Sequence, residues 1–237
     1  MSQTPVPTLA PLIALVGADG SGKSTLAPDL LAHVARTRPA QMGYLGLGSG
    51  PLGTRIKAWP LIGPPLERLL SERARRARDP EGTIPDVLTA LVLYRYSLKR
   101  KRRWDQMMAL RLSGTTVITD RYPQAEVAGF YDGPGLSAAR AGGAFVPWLA
   151  ARELRLYTHM ASFVPTLVIR LNIDIETAML RKPDHERSLL ERKIAVTPTL
   201  RFGGAPFVEI DASQPYTAVL ALAKVAVDRA LAALEQP

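Results

Sequence analysis

Short apolar runs alternate with longer segments along this chain, and the alternation predicts its architecture. The short runs lie at residues 11–16, 42–47, 115–119, 166–171 and 206–210. The longer segments have helical spacing or composition and lie at 25–35, 85–112, 145–162, 175–192 and 215–234. Short buried strands separated by helices are typical of parallel sheets. We therefore predict a three-layer α/β fold with five parallel strands flanked by helices.

Composition favours a single folded domain over residues 1–237. Hydrophobic residues make up 47% of the chain, which is enough to bury a sizeable core. The sequence contains no cysteine, and this excludes disulfides, thiolate metal sites and a cysteine nucleophile.

The amino-terminal region does not resemble a secretory signal. No basic residue precedes the apolar run at 11–16, and that run ends at a glycine-rich loop. No uninterrupted apolar stretch reaches the ~18 residues that a membrane span requires. We expect a cytoplasmic protein without a membrane span.

The charge balance points to an anionic partner. Thirty Lys and Arg residues against 21 Asp and Glu residues give a formal net charge of +9. A nucleotide, a polyphosphate, a nucleic acid or an acidic membrane would each suit such a surface, and charge alone does not choose between them.

Residues 17–25 carry the most specific motif of the chain. They are G-A-D-G-S-G-K-S-T, which matches G-x-x-x-x-G-K-[ST] through Gly17, Gly22, Lys23 and Ser24. Small residues between a strand and a helix let backbone N–H groups surround a phosphate, and the helix N-terminus adds positive potential. The motif predicts a P-loop for ATP, with Lys23 on the β and γ phosphates and Ser24 on Mg²⁺.

A second motif narrows the class of P-loop protein. Asp120 and Arg121 directly follow the apolar run at 115–119. A carboxylate at the carboxyl end of a neighbouring strand is well placed for a water-mediated contact with Mg²⁺. The chain lacks N-K-x-D, which argues against a GTPase, and no D-E pair ends an apolar strand, which argues against helicase-like motors.

Together, the P-loop motif and D-R-Y at 120–122 resemble the thymidylate kinase family of nucleoside monophosphate kinases. Further matches are Arg95 on the preceding helix, T-L-V-I-R-L-N-I-D-I-E-T-A-M-L-R-K at 166–182, and D-A-S at 211–213, which resembles the adenine-side loop of that family. The resemblance implies a role in nucleotide biosynthesis, in which the γ-phosphoryl group of ATP is transferred to a nucleoside monophosphate. The acceptor of first choice that it implies is dTMP. It also implies Mg²⁺ as cofactor and a possible homodimer.

The resemblance also implies site residues. Asp19 would contact the sugar hydroxyl of the acceptor, Arg121 would hold the acceptor phosphate, and Asp120 with Ser24 would hold Mg²⁺. The implied nucleotide-binding residues are Gly17, Asp19, Gly20, Ser21, Gly22, Lys23, Ser24, Thr25, Asp211, Ala212 and Ser213. The implied acceptor-binding residues are Asp19, Leu91, Arg95, Arg121 and Tyr122.

A basic segment at 181–193 resembles a short lid. Guanidinium groups can offset the negative charge that spreads over the transferred phosphoryl group. The P-loop itself carries no arginine, so the lid is the expected source. The catalytic candidates are Lys23, Asp120, Arg121, Arg181, Arg187 and Arg192. The alternative for the lid arginines is a solvated helix in which they form salt bridges with Asp184, Glu186 and Glu191.

Three departures from the family pattern leave the acceptor open. Leu91 stands where the family usually has a base-stacking phenylalanine, L-G-L-G-S-G-P follows the second strand in place of R-E-P-G-G, and Val16 precedes the first P-loop glycine. The first two bear on the acceptor pocket. A nucleoside, a sugar or another phosphorylated metabolite is therefore an alternative acceptor, and a non-catalytic nucleotide sensor or nucleic-acid-binding protein is an alternative function.

The basic run K-R-K-R-R at 99–103 is followed by Trp104. A basic patch beside a stacking aromatic is typical of nucleic-acid sites, yet such a run is more often the solvated face of a long helix. Nucleic acid is a possible partner on this ground, but not the favoured one.

Overall fold

A computed structural model describes residues 9–46, 87–136 and 144–235 of the chain. Within these ranges five strands form one parallel sheet in the spatial order β2-β3-β1-β4-β5. The strands are β1 (Leu12–Gly17), β2 (Ala40–Met42), β3 (Thr116–Thr119), β4 (Leu167–Asn172) and β5 (Phe207–Asp211). The predicted fold class is confirmed, because the sheet is parallel throughout and is flanked by helices.

Six α-helices connect and follow these strands in the described residues. They are α1 (Lys23–Val34), α2 (Val87–Leu112), α3 (Phe145–Ala161), α4 (Ile175–Arg181), α5 (Arg187–Val196) and α6 (Tyr216–Ala233). Short 3₁₀ turns at Thr197–Thr199 and Phe202–Gly204 lead from α5 into β5.

The central strands account for most of the buried apolar surface. Every residue of β1 is buried, and β1 pairs with β3 on one side and β4 on the other. Leu26 and Leu30 of α1 and Val227 of α6 pack against this part of the sheet. A continuous apolar run is expected in such a strand, because helices cover parallel sheets on both faces.

Two predicted elements differ from the structure. The second strand was predicted at 42–47, whereas β2 is Ala40–Met42. Gln41 is exposed at this edge of the sheet and interrupts the apolar pattern, so the pattern placed the strand too late. The helix predicted at 175–192 is two helices, α4 and α5, because Pro183 cannot continue the backbone hydrogen bonds of α4.

The chain separates into two compact units. The sheet unit contains the chain up to Tyr44, Arg103–Tyr122 and the chain from Val164 onward. The helical unit contains the described residues of Leu45–Arg102 and Pro123–Phe163. A single domain over 1–237 therefore stays a prediction. In the portion of the chain that the structure describes, we find no helix with both the length and the apolar character to cross a membrane.

A buried polar network holds the helical unit together. Arg100 on α2 donates to Asp132 at 2.7 Å, and Ser97 on α2 donates to Glu153 on α3 at 2.5 Å. Glu153 also accepts from the backbone N–H of Leu136 at 2.6 Å. These bonds give the buried side chains of Arg100 and Glu153 polar partners, and they tie Asp132 to α2 and Leu136 to α3.

Candidate active site

The loop between β1 and α1 adopts a conformation that its glycines permit. Gly22 precedes α1 with a φ of +89°, a region that favours glycine. At Gly17, where φ is +153°, an added Cβ would lie 2.6 Å from the carbonyl oxygen of Leu171. A side chain at Gly17 would therefore collide with β4, and the loop could not follow this path.

Lys23 begins α1 and folds its side chain over the loop. Its ammonium donates to the carbonyl oxygens of Gly17 at 2.6 Å and Ala18 at 2.9 Å, and to the hydroxyl of Ser21 at 3.3 Å. This positive charge therefore lies at the α1 N-terminus, where the backbone N–H groups of the first turn also favour an anion.

A cavity of about 550 Å³ opens beside this loop within the sheet unit. Its wall is formed by the loop with the start of α1, the residues after β3, the end of α4 with the turn that follows, the residues after β5 with the start of α6, and one residue of β4. The lining residues are Asp19, Gly20, Ser21, Gly22, Lys23, Ser24, Thr25, Leu26, Asp120, Arg121, Leu171, Arg181, Lys182, His185, Ala212, Gln214, Tyr216 and Val219. The cavity thus lies at the carboxyl ends of β1, β3 and β5, which is where open α/β sheets bind ligands.

Asp120 enters this cavity directly after β3. Its Oδ1 is buried and has no hydrogen-bond partner among the described residues. A buried carboxylate oxygen is costly without a cation or a donor. The hydroxyl-bearing Ser24 lines the same cavity.

These two residues fit the oxygen ligands that Mg²⁺ prefers, but they do not form a complete site. The described residues include no group of three or more His, Cys, Asp or Glu side chains that could hold a metal. Magnesium is commonly held by one or two protein oxygens together with nucleotide phosphates and water. Asp120 and Ser24 fit that kind of shared site.

Arg121 is positioned by a turn at the end of β3. The hydroxyl of Thr119 donates to the carbonyl oxygen of Arg121 at 2.7 Å and accepts from its backbone N–H at 3.4 Å. Arg121 lines the cavity together with Lys23, Arg181 and Lys182, so four Lys and Arg side chains line its wall.

Asp19, the acidic residue of the loop, is paired with Lys193 of α5. His185 Nε2 lies 3.9 Å from the same carboxylate oxygen. Burial acts to raise the pKa of Asp19, but Lys193, Lys23 and Arg121 outweigh it and hold that pKa below its ordinary value. Asp19 is therefore ionised at neutral pH.

Arg181, the last residue of α4, bridges two loops of the cavity. Its Nη1 donates to the carbonyl oxygen of Ala212 at 2.9 Å and to that of Gly20 at 3.2 Å. Arg181, the first residue of the predicted lid, thus lines the cavity.

The turn after β5 is closed by its own side chains. Asp211 accepts from the backbone N–H of Ser213 at 2.9 Å and from its hydroxyl at 2.6 Å. These bonds with Ser213 lower the pKa of Asp211. Ala212 lines the cavity, while Asp211 and Ser213 form the turn that presents it.

Other predicted residues lie away from the cavity wall. Tyr122 is 1% exposed, and burial raises its pKa to about 12. Arg187 pairs with Glu176 at 2.5 Å and Glu191 at 2.9 Å, which matches the salt-bridged alternative for this part of the lid. Arg192 is exposed on α5. The roles predicted for these three residues stay predictions.

Leu91 and Arg95 belong to the helical unit. Both are exposed on α2, Leu91 with 38% of its surface. Their predicted role in binding the acceptor also stays a prediction.

Several residues of the cavity wall carry no sequence signal that would select them. His185 has no motif around it and reads as a surface residue, and Gln214 and Tyr216 follow D-A-S without a recognisable pattern. The hydroxyl of Tyr216 binds the carboxylate of Asp29 and the carbonyl oxygen of Thr25 at 3.3 Å. Burial, together with the Asp29 carboxylate, raises the pKa of Tyr216 to about 12.

Comparison with known proteins gives close relatives in sequence. No family model matches the chain. The uncharacterized ATP-binding protein YghS of Escherichia coli (strain K12) is 44% identical over 221 residues, which cover 93% of each chain. The uncharacterized ATP-binding protein YghR of the same strain is 44% identical over 225 residues, which cover 94% of this chain and 89% of YghR.

A solved structure shares the fold. The structure of deoxyadenosine kinase from M. mycoides with bound dCTP has a TM-score of 0.53 and covers 92% of this chain and 99% of its own. Its sequence identity of 11% makes this a likeness of fold alone. The fold is thus that of a P-loop kinase, and the likeness does not single out the thymidylate kinase family.

Proposed function

The chain belongs to the family of ATP-binding proteins that includes YghS and YghR, and we propose that it is an ATP- and Mg²⁺-dependent phosphotransferase. The proposed reaction transfers the γ-phosphoryl group of ATP to a small acceptor. The acceptor of first choice is a nucleoside monophosphate, with dTMP the candidate that the sequence resemblance implies.

One observation carries this proposal. A single cavity brings the P-loop residues Lys23 and Ser24 together with Asp120 after β3 and Arg181 from the lid. Phosphoryl transfer depends mainly on positioning and on offsetting the charge of the phosphoryl oxygens. The cavity supplies cations for that charge, and the loop supplies backbone donors.

Each residue has a definite task in this proposal. When ATP binds, Lys23 donates to phosphate oxygens in place of the loop carbonyl oxygens. Arg181 offsets negative charge on the transferred phosphoryl group. Asp120 and Ser24 hold Mg²⁺, which would neutralise phosphate charge and orient the phosphates. Arg121 holds the phosphate of the acceptor.

The state of Asp19 favours a phosphorylated acceptor over a free hydroxyl. A hydroxyl acceptor requires a base to take its proton, and Asp19 is the nearest candidate. Because Lys193 and its neighbours hold the pKa of Asp19 below its ordinary value, Asp19 is a weak base. A nucleoside monophosphate already carries an ionised oxygen as nucleophile and needs no such base.

An acceptor panel tests the proposal. ADP formation would be measured with ATP and Mg²⁺ in the presence of nucleoside monophosphates, nucleosides and sugars in turn. We expect ADP only with a phosphorylated acceptor, and dTMP above the other monophosphates if the resemblance extends to the acceptor. Turnover of a nucleoside or a sugar would show that the protein phosphorylates a hydroxyl group instead. Binding of ATP without turnover of any acceptor would indicate a nucleotide sensor.

A further inference from the structure

One face of α3 in the helical unit carries aromatic and basic residues in a row. Phe145, Trp148, Arg152, Arg155 and His159 recur at intervals of three and four, which aligns them within one sector of a helix. All five are exposed, Phe145 by 43% and Trp148 by 50%. The row is roughly 21 Å long at 1.5 Å per residue. We call it the α3 stripe.

The side chains at the start of the α3 stripe are stacked on one another. The rings of Phe145 and Trp148 are 5.7 Å apart with an interplanar angle of 25°. The guanidinium of Arg152 lies 4.6 Å from the centre of the Trp148 ring. This column of flat groups is held in place on a helix, so little entropy is lost when another flat group stacks on it.

The α3 stripe is positively charged because the acidic residue of α3 is buried and does not lie on the exposed face. Glu153 is the only carboxylate of α3, and it is 1% exposed. It binds Ser97 and the backbone of Leu136 inside the helical unit. Arg152 and Arg155 therefore have no carboxylate of their own helix beside them on the exposed face.

We propose that the α3 stripe binds single-stranded nucleic acid. Proteins that bind single strands combine cationic side chains along the sugar-phosphate backbone with aromatic rings on which bases stack. The stripe has both, and the net charge of +9 would draw a polyanion to the surface. This binding is independent of phosphoryl transfer, since the stripe lies outside the lining of the cavity.

Two other occupants fit the α3 stripe less well. A symmetric contact with a second copy would bring the same patch together twice, so Arg152 and Arg155 would meet like charges. A membrane surface would need a broad apolar face, but Val146, Leu149 and Met160 are buried in the protein. A polyanion that also carries flat bases suits both components of the stripe.

The basic run at 99–103 is the nucleic-acid candidate that the sequence suggests. Some of its side chains, however, make contacts within the protein. Arg100 is 4% exposed and bonded to Asp132. The guanidinium of Arg103 lies 4.8 Å from the ring centre of Tyr44. The run therefore does not present five cations side by side, whereas the α3 stripe keeps its arginines at the surface.

Fluorescence anisotropy with labelled single-stranded DNA and RNA oligonucleotides of about 12 nucleotides tests the proposal on the full chain. Trp148→Ala removes a stacking ring, and we expect roughly 5- to 100-fold weaker binding. Arg155→Ala removes one phosphate contact, and we expect the slope of log K against log salt to shrink by about 0.7. Both variants should keep the circular dichroism of the wild type, because both side chains are exposed.

Matched changes on α6 serve as controls. Leu222→Ala removes an apolar side chain that is 49% exposed, and Arg229→Ala removes an exposed arginine, both outside the stripe. Neither should weaken oligonucleotide binding. The proposal is overturned if the wild type does not bind the oligonucleotides, or if the two stripe variants bind them as the wild type does. It is also overturned if Trp148→Ala dissociates a dimer, or abolishes binding to vesicles of acidic phospholipid, without changing oligonucleotide binding.

Discussion

Arg181 and Ala212 are joined by a 2.9 Å hydrogen bond from the Arg181 guanidinium to the Ala212 carbonyl oxygen. The same Nη1 reaches the carbonyl oxygen of Gly20 at 3.2 Å. The end of α4 is thereby tied to the phosphate-binding loop and to the turn after β5. One arginine from the predicted lid thus lines the cavity beside this loop.

Arg181→Ala should lower kcat about 10- to 100-fold, because it removes a cation that offsets charge on the transferred group. The KM for ATP should rise by a smaller factor, since the loop amides and Lys23 remain. Steady-state kinetics with the best acceptor measures both. Arg229→Ala, which removes an exposed arginine of α6, is the control and should leave both constants unchanged.

Substitutions of Arg187 and Arg192 test whether lid residues beyond Arg181 contribute to catalysis. The sequence predicts catalytic roles for both, while in the structure Arg187 is held by Glu176 and Glu191. If Arg187→Ala or Arg192→Ala lowers kcat as strongly as Arg181→Ala, the predicted role holds for that residue. An unchanged kcat in Arg187→Ala would mean that Arg187 only forms surface ion pairs, with Glu176 of α4 and Glu191 of α5.

Asp120→Asn keeps the size of the side chain and removes its charge. Because no described residue donates to the buried Oδ1 of Asp120, we expect the carboxylate to be needed mainly for Mg²⁺. The half-saturating concentration of Mg²⁺ should rise at least about tenfold, and ATP binding without Mg²⁺ should persist. Titration of activity with Mg²⁺ and calorimetry with ATP measure the two effects.

Asp228→Asn is the matched control for Asp120→Asn. Asp228 accepts from His33 at 2.8 Å on the surface of the sheet unit and has no proposed part in the reaction. An unaltered Mg²⁺ requirement in Asp120→Asn would mean that Asp120 serves only the turn after β3.

The ion pair between Asp19 and Lys193 makes stability depend on pH. Since the pKa of Asp19 is lowered in the folded protein, the stabilisation is complete above the unfolded value of about 3.9 and is lost as the pH falls through the lowered value. Lys193→Met should cost about 0.5 to 1 kcal/mol at pH 7, given the partial exposure of both groups. Urea unfolding at pH 7 and near pH 3 measures the difference.

The difference between the wild type and Lys193→Met should shrink at the lower pH, because Asp19 begins to be protonated there. Lys224→Met on α6 provides the control for loss of a lysine charge. A difference that stays constant between the two pH values would show that the Asp19 charge does not stabilise the fold through Lys193.

Sequence patterns predicted the sheet and the phosphate loop well, because both depend on local rules. A buried parallel strand needs a continuous apolar run, and the P-loop needs glycines at fixed positions such as Gly17 and Gly22. The edge strand β2 was misplaced because one exposed residue, Gln41, breaks its apolar pattern. The partners of Asp19 and Arg181 could not be predicted, since Lys193 and Ala212 reach them only through the packing of α4, α5 and β5. The acceptor, the homodimer and the cytoplasmic location stay predictions.

Recovery of the γ-phosphoryl group in an acceptor tests the central claim most directly. The measurement follows label from the γ-phosphate of ATP in the wild type and in Lys23→Ala, with Mg²⁺ and the acceptor panel present. We predict that the wild type moves label into one phosphorylated acceptor with equal formation of ADP, and that Lys23→Ala, folded by circular dichroism, loses this transfer by orders of magnitude. Equal transfer by Lys23→Ala, or label released only as inorganic phosphate by both proteins, would contradict the account.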